Sequence, residues 1–261
     1  MNRSPLRIII GLLASAGLVL GSAGMAQAIV PAGGMGQPTL HNAGKPIWGT
    51  LQNLPGIGAT EFTYVGPTMA PTIEAYYAGQ HAADLKAMAK KARQLLRAQL
   101  EQRCGGDPRA CKAMVVFDID ETLFNNYSYW AAQTPPFSLD DAAWAAYVAK
   151  CETSVNGPVL AFYRLAQESG AKVAIITGRP ESDTAVTKDC LREKGITGWT
   201  AYIGKPDNST QTASVFKAQA RASLQKKGFT ILVSVGDQIS DMAGGHLGGG
   251  IWLPNPMYYI P

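Results

Sequence analysis

Histidine is scarce in this 261-residue chain. His41, His81 and His246 are its only three, and their scatter offers neither a nucleophilic pair nor a metal cluster. The stretch around the last, AGGHLGGG, lacks the Gly-Lys-Ser/Thr ending of a nucleotide-binding loop. Its glycines are read as permitting close packing, and His246 as a loop residue. No internal repeat is visible, nothing resembles an EF-hand loop, and the four cysteines match no zinc spacing. Charge is sparse too, at 16%, but beside 46% hydrophobic residues this suits one ordinary folded domain rather than disorder.

The first 28 residues contain no acid. Arg3 and Arg7 precede an uncharged apolar run from Ile8 to Leu20, then small residues ending in Ala26-Gln27-Ala28, the pattern of a secretory signal peptide cut after Ala28. An uncleaved anchor competes, because the uncharged stretch continues to Val30, but the A-x-A site favours cleavage and no cysteine lies near the cut to take a lipid. Losing Arg3 and Arg7 takes the formal charge from +4 to +2, too near neutral to argue for a nucleic acid polymer or an anionic membrane surface. The expectation is a secreted or periplasmic protein with no stable membrane association. Cys104, Cys111, Cys151 and Cys190 all lie in the exported part, and an even count there favours disulfides. Cys104 and Cys111 flank the turn-rich GGDPRA, which pairs them and leaves Cys151 with Cys190.

Residues 29–72 are rich in Gly and Pro with little periodicity and read as an irregular leader that wraps the domain. From Ile73 to Arg103, Leu85, Met88, Ala92, Leu95 and Leu96 recur at the spacing of an amphipathic helix. The pattern then changes to short apolar runs at Ala113 to Phe117, Lys172 to Ile176 and Phe229 to Val235, with shorter ones at Ala201 to Ile203 and Gly250 to Leu253. Helical segments separate them, including one with a capping box of Ser138 and Asp141 and another begun by Pro158. Buried parallel strands joined by crossover helices predict an α/β doubly wound parallel sheet over residues 73–261.

Three strand ends are polar. DIDET follows the first run from Asp118 to Thr122, TGR follows the second from Thr177, and GDQISD follows the fourth from Gly236 to Asp241. Such sheets bind ligands at the carboxyl ends of their strands, so Asp118, Asp120, Asp237 and Asp241 are expected in one crevice. Four carboxylates repel one another there unless a hard divalent cation joins them. Mg²⁺ suits a few carboxylates, waters and a substrate phosphate, with calcium as a structural alternative. Asp118 can then serve as a carboxylate nucleophile, while Asp120, with its side chain free, protonates the leaving oxygen and later takes a proton from water. The Thr177 hydroxyl and the Lys217 ammonium would meet the phosphoryl oxygens.

DIDET, ITGR, FKAQAR (Phe216 to Arg221) and GDQISD, in that order, resemble the four motifs of the haloacid dehalogenase (HAD) superfamily. More narrowly the chain resembles subfamily IIIB, the secreted acid phosphatases that include plant acid phosphatases and vegetative storage proteins and are related to bacterial class B and class C enzymes. The likeness runs from about Tyr76 through the closing PNPMYYIP. It implies a Mg²⁺-dependent phosphomonoesterase acting on small phosphomonoesters. Asp118 would be nucleophile and metal ligand, Asp120 acid/base and a ligand through its carbonyl, Asp237 a direct and Asp241 a water-mediated ligand. Thr177, Gly178 and Lys217 would hold phosphate. Residues 123–157 would form a small helical cap whose Phe124, Tyr127, Tyr129 and Trp130 meet the leaving group, with Trp144 and Tyr147 in the cap core. Storage proteins of the group can lack the nucleophilic aspartate, whereas Asp118 is present here. Thr177 alone also suits a helix cap, Lys205 competes with Lys217, and Arg179 either touches substrate or pairs with an acid. A storage protein without turnover and a phosphotransferase are the rival readings.

Overall fold

The computed structural model describes residues 67–260 and the backbone of 38–42, 45–49 and 63–64; the expected signal segment, residues 1–28, lies outside them. Along the chain come β1 (Pro38–Asn42), β2 (Lys45–Gly49), β3 (Thr63–Tyr64), α1 (Ala70–Ala78), α2 (His81–Cys104) and β4 (Ala113–Phe117). β5 (Phe124–Asn125), α3 (Tyr127–Ala132), α4 (Asp141–Lys150), β6 (Ser154–Val155), α5 (Gly157–Glu168) and β7 (Lys172–Pro180) follow. The rest is α6 (Thr184–Glu193), β8 (Ala201–Lys205), α7 (Ala213–Lys226), β9 (Thr230–Gly236), β10 (Gly249–Trp252) and β11 (Tyr258–Tyr259).

The run Ala-Met-Val-Val-Phe becomes β4, every residue of which is buried. Alternation sends Val115 and Phe117 into a cluster with α2, α5 and α6, and Met114 and Val116 into another with Phe216, Ala220 and Leu224 of α7. A strand covered on both faces needs apolar residues at every position, which is why the sequence shows a continuous run there. The sheet order is β1-β2-β10-β9-β4-β7-β8. All neighbours are parallel except β1 with β2. Chain order reverses beside β4, with β7 on one side and β9 on the other, so a crevice opens at the carboxyl ends of β4 and β9.

Several details differ from expectation. Within residues 29–72, the segments forming β1 and β2 extend the sheet beyond β10, with Ile47 opposite Gly250 and Trp48 opposite Ile251. The edge of β10 supplies a backbone template that needs no periodic sequence. The long amphipathic stretch breaks at Gly79, giving α1 and α2. The cap of α4 is Asp140, whose carboxylate accepts a hydrogen bond from Ala143 N at 2.9 Å, rather than the Ser138 and Asp141 box. The Ser138 hydroxyl instead donates to Pro135 O at 2.7 Å, because the preceding turn claims it.

Between β4 and α5 the chain leaves the sheet and returns through the short β5–β6 pair. Asn156 closes that neck, its side-chain amide donating to the carbonyls of Glu121, Thr122 and Phe124 at 2.9–3.1 Å. α3 and α4 lie in this excursion, within residues 123–157. Both disulfides exist as paired from the sequence: Cys104 with Cys111, and Cys151 at the end of α4 with Cys190 of α6. Among the described residues, no helix is long and apolar enough to cross a membrane.

Candidate active site

β4 ends at Phe117, and Asp118 N donates to Val235 O of β9, which aligns the two strand ends. There the carboxylates of Asp118, Asp237 and Asp241 converge, each buried, with one oxygen from each within 4.8 Å of the others. Lys217 reaches them from α7. Its ammonium lies 2.8 Å from Asp118 Oδ1 and 2.5 Å from Asp241 Oδ1. Burial alone would lower the Lys217 pKa, but the Asp118 and Asp241 charges outweigh it and raise it. The competitor Lys205 sits on β8, partly exposed and away from this cluster.

Each carboxylate is held in its own way. Asp237 Oδ2 accepts from Gln238 Nε2 (2.6 Å) and Asn255 Nδ2 (2.8 Å), and its main-chain carbonyl accepts from Trp252 Nε1 (2.8 Å). Asp241 Oδ2 accepts from Gln238 N at 2.9 Å. Gly236 leaves the room this requires, since a Cβ there would lie 2.2 Å from the Asp241 carboxyl. Asp118 Oδ2, by contrast, accepts no hydrogen bond among the described residues. Burial pushes the Asp118 carboxyl well up against the pull of Lys217, and Asp241, Asp237 and Asp120 add to the rise. Burial, then the charges of Asp241 and Glu121, push Asp237 up to about 8, with the Asn255 and Gln238 hydrogen bonds opposing. Oxygen-only donors carrying more negative charge than one ammonium offsets are the donor set of a hard divalent cation, so these residues fit Mg²⁺.

Asp120 differs from expectation. Its side chain is not free: Arg179 holds it through Nη2 to Oδ1 (2.7 Å) and Nε to Oδ2 (3.0 Å), and Asn126 donates to Oδ1 at 2.9 Å. The Asp120 carboxylate offsets the cost of burying the Arg179 guanidinium. Of the two roles open to Arg179, pairing with an acid is the one seen. Arg179 also lies over the rings of Phe124 (5.5 Å) and Trp144 (5.7 Å), which fixes its fork. Thr177 is 1% exposed, its hydroxyl oxygen accepting from Arg179 N at 3.1 Å, and it sits behind the cleft wall formed by Gly178, Arg179 and Pro180.

Trp130, Leu139, Trp144, Tyr258 and Ile260 also line the cleft, with Trp130 packed on Tyr258 at 5.0 Å. Of the four aromatics expected to meet a leaving group, only Trp130 lines it. Phe124 is buried under Arg179, Tyr127 stacks on Tyr77 at 4.2 Å, and the Tyr129 hydroxyl donates to Asp140 O. Trp144 packs against the cap core as expected, on the rings of Tyr129 (4.9 Å) and Tyr147 (5.7 Å), and also lines the cleft, while Tyr147 is buried beside it. Glu121 was the acid of DIDET left without a role. It is 3% exposed at φ +52°, accepting from Trp130 Nε1 at 3.2 Å and from the Tyr258 hydroxyl, and so joins α3 to β11 beneath the cleft. Burial, then Asp120, push its pKa up to about 8.

Comparison with known proteins identifies the family. Over 150 residues the chain is 34% identical to vegetative storage protein 1 of Arabidopsis thaliana, a match covering 56% of this chain and 55% of that protein. It is 33% identical over 148 residues to acid phosphatase 1 of Solanum lycopersicum, covering 56% and 58%. The match therefore spans little more than half the length of these relatives. The fold resembles that of the class C acid phosphatase from Bacillus anthracis, with TM-score 0.56 and 18% identity over 74% of this chain and 85% of that one. Residues 57–261 match the model of HAD superfamily subfamily IIIB (acid phosphatase), and the chain belongs to that family.

Proposed function

We propose that the protein is an exported, Mg²⁺-dependent acid phosphatase that hydrolyses small phosphomonoesters through an aspartyl-phosphate on Asp118. One observation carries the reading: Lys217 and three carboxylates converge at the floor of a cleft that also presents Asp120 and Arg179. The carboxylates of Asp118, Asp237 and Asp241 and the Asp120 carbonyl would hold Mg²⁺. When bound, the cation supplies Lewis-acid charge for the phosphoryl oxygens and favours ionised Asp118.

The chain's own groups divide the remaining work. Lys217 holds Asp118 through Oδ1, which leaves Oδ2 to attack phosphorus as the ester P–O bond breaks. The same ammonium meets the negative charge that develops on the transferring group. Asp120 gives the leaving oxygen its proton, then removes one from the water that hydrolyses the phospho-aspartate and restores Asp118. In the resting arrangement Asp120 is tied to Arg179. A phosphoryl group that draws the guanidinium to itself frees Asp120 to carry that proton. Thr177 acts by orienting Gly178 and Arg179 at the end of β7, since its hydroxyl oxygen accepts from Arg179 N. The two disulfides suit an oxidising compartment and support export to the periplasm or medium.

The test is hydrolysis of p-nitrophenyl phosphate with Mg²⁺ and with excess chelator, beside Asp118→Asn. The expected result is turnover that requires both Mg²⁺ and Asp118, with a folded, inactive variant. Wild-type rates from Asp118→Asn would sink the covalent mechanism. A folded, Mg²⁺-loaded protein without turnover would move the reading to a storage protein.

A further inference from the structure

Two sequence features stand outside the chemistry above: the last residue of FKAQAR and the glycine-rich stretch after GDQISD. They meet each other. Arg221 is 1% exposed, one of the largest fully buried side chains. Its guanidinium reaches three main-chain carbonyls of one loop: Nη1 donates to Asp241 O at 2.6 Å, Nε to Gly245 O at 3.0 Å, and Nη2 to Ala243 O. Among the described residues it forms no salt bridge. Burying an arginine on neutral partners alone is costly, and a loop that needed only packing would be served by an apolar side chain. The fork geometry is the distinctive property: five N–H donors in a fixed plane hold several carbonyls in one arrangement.

Lys217 and Arg221 stand four residues apart on α7 and face the same way. Lys217 grips the Asp241 carboxylate while Arg221 grips the Asp241 carbonyl and the chain beyond it. The glycines permit the contact. Gly244 has φ +74°, and a Cβ on it would lie 2.4 Å from that of Ala218, on the turn of α7 between Lys217 and Arg221. The loop rests directly on the helix, and any side chain at that position would lift it off.

We infer that Arg221 is a positioning residue for the metal-binding carboxylate of Asp241: by pinning the carbonyls of Asp241, Ala243 and Gly245 to α7, it sets Asp241 against Asp118 and Asp237. This rests on the metal assignment proposed above. Partners that orient metal ligands typically account for 10–100-fold in metal affinity.

The experiment measures Mg²⁺ binding by calorimetry on the full chain for wild type, Arg221→Gln, Arg221→Lys and Leu224→Ala. Leu224 lies one turn further along α7 in the apolar cluster, so its variant reports general loosening of the helix. Amide exchange at Met242 and Ala243, both bonded to Ile239 O, reads the loop directly in the metal-free protein. We expect Arg221→Gln to weaken Mg²⁺ binding at least tenfold with faster exchange at both amides, and Arg221→Lys, which keeps the charge but loses the fork, to fall between. Leu224→Ala should lower the melting temperature and leave Mg²⁺ affinity within about twofold of wild type. Wild-type affinity in Arg221→Gln, equal weakening in Leu224→Ala, or a wild type that binds no Mg²⁺ would overturn the inference. If Arg221→Gln does not fold, Arg221→Lys carries the same comparison. Tight Mg²⁺ binding without any hydrolysis would remove the phosphatase reading and leave this one standing.

Discussion

The two disulfides close loops of very different length, and that difference predicts which one matters more. Cys104 and Cys111 are separated by 7 positions, Cys151 and Cys190 by 39. Loop-closure entropy in the unfolded chain then makes the first worth about 2.4 kcal/mol and the second about 3.9 kcal/mol at 25 °C. Burial adds a smaller contrast, since Cys104, Cys151 and Cys190 are all buried and only Cys111 is partly exposed, so serine hydroxyls would be left in apolar surroundings at both ends of the longer bridge and at one end of the shorter. The assay is urea unfolding of Cys104→Ser/Cys111→Ser beside Cys151→Ser/Cys190→Ser. The second pair should lose about 1.5 kcal/mol more, or roughly 3–6 °C in melting temperature for a domain of this size. The longer bridge also ties α4, which carries Trp144 of the cleft lining, to α6, so its removal should raise KM for p-nitrophenyl phosphate more than removal of the shorter one. Equal losses, or a larger loss at Cys104 and Cys111, would refute the entropic argument, and an equal rise in KM for the two variants would refute the tethering role.

Two further outcomes are expected. His81 is buried against Tyr77 (4.1 Å, stacked) and Tyr76 (5.6 Å, edge-on), and burial pulls its pKa down to about 4. The unfolded chain takes up that proton near 6.5 and the folded one does not, so stability is present above pH 6.5 and is lost as pH falls toward 4, by about 3 kcal/mol; urea unfolding across that window should show a shallower pH slope for His81→Gln, and parallel slopes would exclude the effect. Asp120→Asn should slow esters with poor leaving groups more than p-nitrophenyl phosphate, because only the former need a proton delivered; uniform slowing across a leaving-group series would remove the acid role.

What the sequence reveals follows how each element is stabilised. β4, β7 and β9 are buried on both faces, and that requirement is written as continuous apolar runs. β1 is the edge strand and β2 lies between it and β10; both are recruited by backbone pairing, so Pro38–Asn42 and Lys45–Gly49 carry no such mark. Asp118, Asp237 and Asp241 were legible because carboxylates directly after apolar runs are costly without a shared purpose. The tie between Asp120 and Arg179 was not, since 59 positions separate them and only the approach of β7 to β4 brings them together. Trp144 and Tyr147, three apart on one helix, look alike in sequence, yet one lines the cleft and the other is buried. Glu121 stood in plain view inside DIDET, but its partners Trp130 and Tyr258 lie 9 and 137 positions away.

The single ammonium among three carboxylates has a consequence for the order of events. Lys217 offsets only one of the three carboxylates at the cleft floor, and the raised pKa values of Asp118 and Asp237 are the same deficit expressed as a tendency to hold protons. A doubly charged ester arriving first meets repulsion in a water-poor crevice, whereas a divalent cation arriving first cancels the deficit. Under the proposed function occupancy would then be sequential, ion before ester, and free phosphate should compete as an inhibitor only once the ion is in place.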